Sequence, residues 1–333
     1  MSDDLPTVAL VTTGGTIGAN GADRLDLAFY GELETQRAAD ELLAAIPEIG
    51  RVARVRPVSV TSAPSHALQM ADLVALGRLV TQLAADPSIT GVVVTHGTNT
   101  LEETAFFLAL VTRTDKPVVV TGSMRPASGL SSDSPLNLYG ALRLAAHPRA
   151  VGRGVLVLLN DTVHAARDVT KSSTSRLDAF RGAELGPLGF VEADGEIVFH
   201  HRQEAWAAEG LFDVGGLGKL PRVDVVVSYL GADGALIDAS VRAGAAGIVS
   251  AGTGGGFPAP AEQDSLEAAA AAGVLVCQST RVGSGRVAVR PAAVARGIIG
   301  AGNLNPVKAR MLLMLALTRS SDPHEIASLF QRQ

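Results

Sequence analysis

Short apolar runs alternate with amphipathic stretches along most of the chain. "VALVTT" (Val8–Thr13), "VRPVSV" (Val55–Val60), "GVVVTH" (Gly91–His96), "PVVVTG" (Pro117–Gly122) and "GVLVLLN" (Gly154–Asn160) are brief and rich in β-branched residues. Unbroken runs of this kind suit strands buried on both faces of a parallel sheet. Between them lie "ETQRAADELLAAIP", "QMADLVALGRLVTQLAAD" and "TLEETAFFLALVTRTD". In the second, Met70, Leu73, Val74 and Ala84 recur at helical spacing with polar residues opposite. The third opens with Thr100 and has Glu103 three residues on, the spacing of a capping box. Strand–helix alternation predicts an α/β fold with a mostly parallel open sheet and right-handed crossovers.

The texture changes near Phe190. "FVEADGEIVFHHRQ" reads as a hairpin turning at Asp194-Gly195. "AWAAEGLFDVGGLGKLP" is Gly-rich and weakly periodic, as a linker would be. Alternation then restarts, with strands at "VDVVVSY" (Val223–Tyr229), "GIVSA" (Gly247–Ala251) and "GVLVCQ" (Gly273–Gln278), and helices at "SLEAAAAAG" and "NPVKARMLLMLAL". The expected organisation is a larger N-terminal domain over residues 1–202, a linker over 203–221 and a smaller C-terminal α/β domain over 222–333.

Composition narrows the class. A chain of 333 residues suits two domains better than one core. Hydrophobic residues make up 47% and aromatics only 4%, which fits closely packed α/β layers. The net charge is −5 without a block of like charges, so neither nucleic acid nor an anionic membrane is an expected partner. Every long apolar run is cut by glycine or a charge, and the N-terminus has no basic segment ahead of an apolar stretch. A cytoplasmic location is the expectation. The single cysteine, Cys277, lies inside an apolar run and reads as a small buried strand residue. "HHRQ" at His200–Gln203 lacks further ligands at metal spacing, so no metal is expected.

Candidate chemistry gathers just past the strands. "THGTNT" (Thr95–Thr100) follows one apolar run and precedes a helix. Open α/β sheets place their chemistry at such strand ends. The helix start also offers backbone N–H groups to an anion or oxyanion. "TTGGTIG" (Thr12–Gly18) follows an earlier run in the same way. Its glycines do not form the dinucleotide pattern, and the turn is left to present the hydroxyl of Thr16. A threonine needs help to attack a carbonyl, because its hydroxyl is scarcely ionised near neutral pH. "NDTVHAARDVTKSSTSRLDAF" (Asn160–Phe180) holds Lys171 among short hydroxyl residues. A lysine there is ordinarily an exposed loop residue; buried beside a hydroxyl, its pKa falls and it becomes a base. "TGSMRPASGLSSDSPLNLYGAL" supplies a polar turn that walls a pocket without a catalytic assignment. No Ser–His–Asp order and no convincing nucleophile elbow is present.

In combination, "TGGTIG", "HGTNTLEETAFFL", "KPVVVTGSMRP", "NLYGAL", "GVLVLLNDTVHAARDVTKSST", "GPLGF", "GIVSAGTGGG", "STRVGSG" and "NLNPVKARMLLMLAL" resemble the bacterial-type L-asparaginases, from about residue 7 to the C-terminus. The resemblance implies hydrolysis of L-asparagine to L-aspartate and ammonia without metal or cofactor. It implies a homo-oligomer built as a dimer of intimate dimers, with each site closed by a partner's C-terminal domain. Carried over by position, Thr16 is the acylated nucleophile and Tyr30 its loop partner. Thr98 and Lys171 are the second threonine and its lysine, and Ser65 holds the substrate α-carboxylate.

Four departures from the family pattern stand out. Asn99 replaces the Asp of "HGTDT", which accepts from the substrate ammonium and sits near the lysine. His66 follows Ser65 where many relatives have Gln. Gly231 sits where some relatives have Asn, and no Glu follows "STRVGSG" at the family spacing. These departures raise two alternatives: a glutaminase-asparaginase, or an amino-acid-binding protein whose catalysis is weakened or lost. An amidase serving tRNA amidation is disfavoured, because that relative carries a domain ahead of the strand that begins here at Val8.

Overall fold

The computed structural model describes residues 5–30, 36–60, 63–201 and 211–332. It divides into two compact units, residues 1–215 and 216–333.

The first unit is built on an eight-stranded sheet. Its strands are β1 (Thr7–Thr12), β2 (Arg54–Ser59), β3 (Gly91–Thr95), β4 (Val118–Thr121), β5 (Val155–Leu159), β6 (Thr162–Ala165), β9 (Gly189–Val191) and β10 (Ile197–Phe199). Across the sheet the order is β10-β9-β6-β5-β4-β3-β1-β2. From β5 to β2 every pairing is parallel, while β6, β9 and β10 join antiparallel at one side. Two short strands, β7 (Val169–Lys171) and β8 (Phe180–Gly182), form a separate antiparallel ribbon.

Alternate residues of the central strands feed two cores. Ala9, Val11, Val92, Val94, Val118 and Val120 meet α2 (Met70–Ala85) and α3 (Leu101–Val111) on one face. Val8, Leu10, Val93, Val119, Leu156 and Leu158 meet α1 (Ala39–Ala44) and α4 (Ser134–Ala146) on the other. Burial on both faces explains the lack of polar alternation in these runs. The hairpin at Asp194-Gly195 is present, with Gly195 at φ 87°.

The second unit carries four parallel strands in chain order: β11 (Val223–Val227), β12 (Gly247–Gly252), β13 (Leu275–Thr280) and β14 (Ile299–Gly300). Its helices are α5 (Ala235–Arg242), α6 (Pro260–Ala271), α7 (Pro291–Val294), α8 (Pro306–Ala316) and α9 (Pro323–Gln331). Cys277 is fully buried in β13, and burial pushes its thiol pKa up.

Several expected elements differ in extent. Of the helix expected from Glu34 to Pro47, Glu34 and Thr35 lie outside the described residues; among the described ones it covers Ala39–Ala44, where Glu41 accepts the Ala38 N–H at 2.8 Å and fixes the start. The helix expected from Ser265 begins at Pro260, with Glu262 accepting the Ala259 N–H at 2.8 Å. Residues 202–210 of the stretch around the expected linker lie outside the described residues. Beyond them, Phe212 is buried and donates its N–H to the Leu110 carbonyl at the end of α3.

Candidate active site

Strand β1 and strand β3 run side by side with Thr12 opposite Thr95, so both polar turns emerge at one edge of the sheet. Two glycines let the turns touch. Gly15 has φ 94°, and a Cβ there would fall 2.4 Å from the Gly97 Cα. A Cβ on Gly97 would fall 2.6 Å from Ser65 Oγ. Real Cβ atoms do not approach that closely, so glycine is required at Gly15 by the facing backbone and at Gly97 by the Ser65 side chain. Thr16, Thr98 and Ser65 are thereby carried on three segments in direct contact.

The residues expected to act form two hydrogen-bonded pairs. Thr16 Oγ1 lies 2.9 Å from the Tyr30 hydroxyl, and either can donate. Lys171 Nζ donates to Thr98 Oγ1 at 2.8 Å. Thr98 is buried and Lys171 half-buried. Burial lowers the Lys171 pKa from its ordinary 10.5, and the nearby Glu102 carboxylate works against that shift. Lys171 is therefore no exposed loop residue; it ends β7, which packs on α3.

Ser65 begins a short 3-10 turn, Ser65–Ala67, and is buried. Its hydroxyl has no hydrogen-bond partner among the described residues. A buried unpartnered hydroxyl is costly unless a ligand group meets it. The capping box expected at Thr100 is absent. Its hydroxyl donates instead to the Ser65 carbonyl at 2.9 Å, which ties the Ser65 turn to the start of α3. Asn99 and His66 meet on the exposed side, with Asn99 Nδ2 3.4 Å from His66 Nδ1.

Below the turns lies a histidine that the sequence reading passed over. His96 is fully buried, with Nδ1 2.8 Å from the Gly97 carbonyl and Nε2 3.0 Å from Thr104 Oγ1. A carbonyl only accepts, so Nδ1 carries the proton and Nε2 accepts from the Thr104 hydroxyl. Burial lowers the His96 pKa from 6.5 to about 4. A neutral imidazole thus bridges the Thr98 turn to α3.

The polar turn after β4 laces strand ends together. Ser134 donates to the Ile17 carbonyl at 2.6 Å. Asn137 donates to the Gly122 carbonyl at 3.0 Å and accepts the Asn160 N–H at 2.9 Å. Asp133 accepts the N–H groups of Met124 and Arg125, both at 2.9 Å. The segment 20–30 that ends in Tyr30 is also fastened: Gly21 donates to Ser128 Oγ, and Leu130 donates to the Arg24 carbonyl. The sequence signal for this lacing was the run of Ser, Asp and Asn entering α4.

Two family models together cover this arrangement: "Asparaginase, N-terminal" matches residues 7–205, and "Glutaminase/Asparaginase C-terminal domain" matches residues 222–330. The chain belongs to the asparaginase family. L-asparaginase 2 of Bacillus subtilis is 40% identical over 331 residues, covering 98% of this chain and 86% of that protein. A probable periplasmic L-asparaginase of Haemophilus influenzae is 38% identical over 332 residues, covering 98% of this chain and 93% of that protein. A crystal structure described as a probable cytoplasmic L-asparaginase from Campylobacter jejuni superposes with a TM-score of 0.93. It shares 36% identity and covers 98% of this chain and 99% of that one. The asparaginase fold seen here is thus matched across both units. No group of three or more His, Cys, Asp or Glu side chains among the described residues could hold a metal ion. No helix among them is long and apolar enough to cross a membrane.

Proposed function

We propose that this asparaginase hydrolyses L-asparagine to L-aspartate and ammonia through an ester on Thr16. The observation that carries the reading is the pairing of Thr16 with Tyr30, and of Thr98 with Lys171, on two turns whose backbones touch. The Thr16 oxygen attacks the side-chain amide carbon, and its proton passes toward Tyr30. Backbone N–H groups of the Thr98 turn stabilise the oxyanion. Tyr30 hands that proton on to the amide nitrogen, which leaves as ammonia. Water then attacks the ester, giving up a proton to the Thr98–Lys171 pair, and the departing Thr16 oxygen takes up the equivalent of that proton as aspartate leaves, which restores the starting site. Lowering the Lys171 pKa serves this step, since a neutral amine accepts the proton relayed from water through the Thr98 hydroxyl.

Ser65 Oγ meets the substrate α-carboxylate, and Asn99 Oδ1 accepts from the α-ammonium. His66 Nδ1 takes one amide hydrogen of Asn99 and so leaves that oxygen toward the substrate. The chemistry needs neither metal nor cofactor. A homo-oligomer and a cytoplasmic location complete the reading. The location follows the description of the Campylobacter jejuni relative, against the periplasmic one from Haemophilus influenzae.

The deciding assay is ammonia release from L-asparagine and L-glutamine by the wild type and by Thr16→Ala. Release from asparagine that Thr16→Ala abolishes supports the reading. Release from both substrates at similar kcat/KM identifies a glutaminase-asparaginase. No release, with aspartate still bound, leaves an amino-acid-binding protein.

A further inference from the structure

Lys171 is gripped at both ends. Its amine reaches Thr98, and its backbone N–H donates to Glu102 Oε1 at 3.2 Å. Glu102 stands in the first turn of α3, one helical turn beyond Thr98, and α3 packs directly on β7. Asn99, where the asparaginase pattern has Asp, is uncharged and spends its amide on His66. The acidic group facing this lysine therefore belongs to a different residue.

We propose that Glu102 is a positioning residue for the hydrolysis, holding the Lys171 strand against α3 and supplying beside the lysine the negative charge that Asn99 lacks. This rests on the role given to Lys171 above. Two arginines on the neighbouring segments already have carboxylate partners. On β8, Arg181 lies opposite Thr170 and binds Asp178 at 2.6 Å, and Arg167 binds Asp168 at 2.6 Å just before β7. The turn before α3 faces the lysine with Thr98, and β8 faces it with Phe180. Glu102 favours the lysine cation while burial disfavours it.

Glu102→Gln is the informative variant. Its amide oxygen still accepts the Lys171 N–H, so the charge goes while the strand stays anchored. Two readouts apply: the pH profile of kcat/KM for asparagine, and the pH titration of the Lys171 Cε resonance in protein labelled with 13C-lysine. That resonance is assigned by its absence from Lys171→Arg. Removing the charge is expected to move both curves to lower pH. Relative to its own plateau, Glu102→Gln should then be faster than wild type on the acid side. Adding Asn99→Asp to this variant should move both curves back to higher pH. A Lys171 resonance that titrates as in wild type would overturn the proposal, even if activity fell, because a purely structural role lowers rate without moving the titration. Glu102→Met, neutral and of similar length, takes the place of the Gln variant if that protein does not fold. Should the wild type release no ammonia, the hydrolytic reading fails, while the resonance still decides the Glu102 charge.

Discussion

Lys171 Nζ and Thr98 Oγ1 lie 2.8 Å apart although 73 residues separate them in the chain. One comes from the short ribbon strand β7 and the other from the turn after β3. Replacing the amine by a thioether of similar length removes the proton acceptor and little else. Lys171→Met should lower kcat on asparagine by about 10²–10⁴-fold, the range for loss of a general base. Its thermal melting should stay near that of wild type. A kcat within threefold of wild type would remove Lys171 from the reaction.

The contact of Thr16 with Tyr30 predicts a graded effect. Tyr30→Phe keeps the ring and deletes the hydroxyl 2.9 Å from the nucleophile. It should slow ester formation by about 10²-fold or more, as expected for lost general acid–base help. Rapid-quench mass spectrometry with asparagine reads the ester on Thr16 directly. Accumulation at the wild-type rate would place Tyr30 outside the step.

Asn99 offers the substrate ammonium a neutral acceptor. Charge-assisted hydrogen bonds are about twice as strong as neutral ones. Asn99→Asp should strengthen ground-state binding by about 1–3 kcal/mol, which is about 5- to 150-fold in KM where KM tracks binding. Steady-state kinetics on asparagine test this. An unchanged KM would mean that residue 99 does not meet the ammonium.

Gly97 leaves no room for a side chain, since its Cβ would stand 2.6 Å from Ser65 Oγ and 2.8 Å from Ser65 Cβ. Gly97→Ala must push the Ser65 turn outward. Overpacking of this kind costs about 1–3 kcal/mol. Urea denaturation should show that loss, and the KM for asparagine should rise because the α-carboxylate contact moves. Native stability together with a native KM would contradict the packing described here.

His96 links stability to pH. Its pKa falls from 6.5 to about 4 on burial, although the Gly97 carbonyl pulls the other way. Between those values the unfolded chain takes up a proton that the folded chain refuses. Stability is therefore full above pH 6.5, declines as pH falls through that range, and levels off below about 4. The loss is on the order of 3 kcal/mol. His96→Gln cannot titrate and should flatten the slope of unfolding free energy between pH 6.5 and 4. An unchanged slope would assign the acid sensitivity to other groups.

The strands that form the sheet centre were legible because each is buried on both faces, which leaves an unbroken β-branched run. The ribbon that carries Lys171 was not. "VTK" and "FRG" are three residues each, and each is a strand only because the other lies alongside. Helices α5 and α9 were not legible either: each has a clear apolar stripe, but at 8 and 9 residues they offer only about two turns of period. Thr100 shows the limit of local rules: the spacing to Glu103 fits a capping box, but a tertiary acceptor, the Ser65 carbonyl, takes the hydroxyl.

Residue order alone fixed the strand–helix alternation and the two-part layout. It also placed hydroxyl-rich turns at the strand ends, because hydrophobic periodicity and glycine placement act over a few residues. Which hydroxyl meets which amine, whether His96 is charged, and which carboxylate attends the lysine were decided only when distant segments packed together. Hydrogen bonds and desolvation depend on distances that no local pattern encodes.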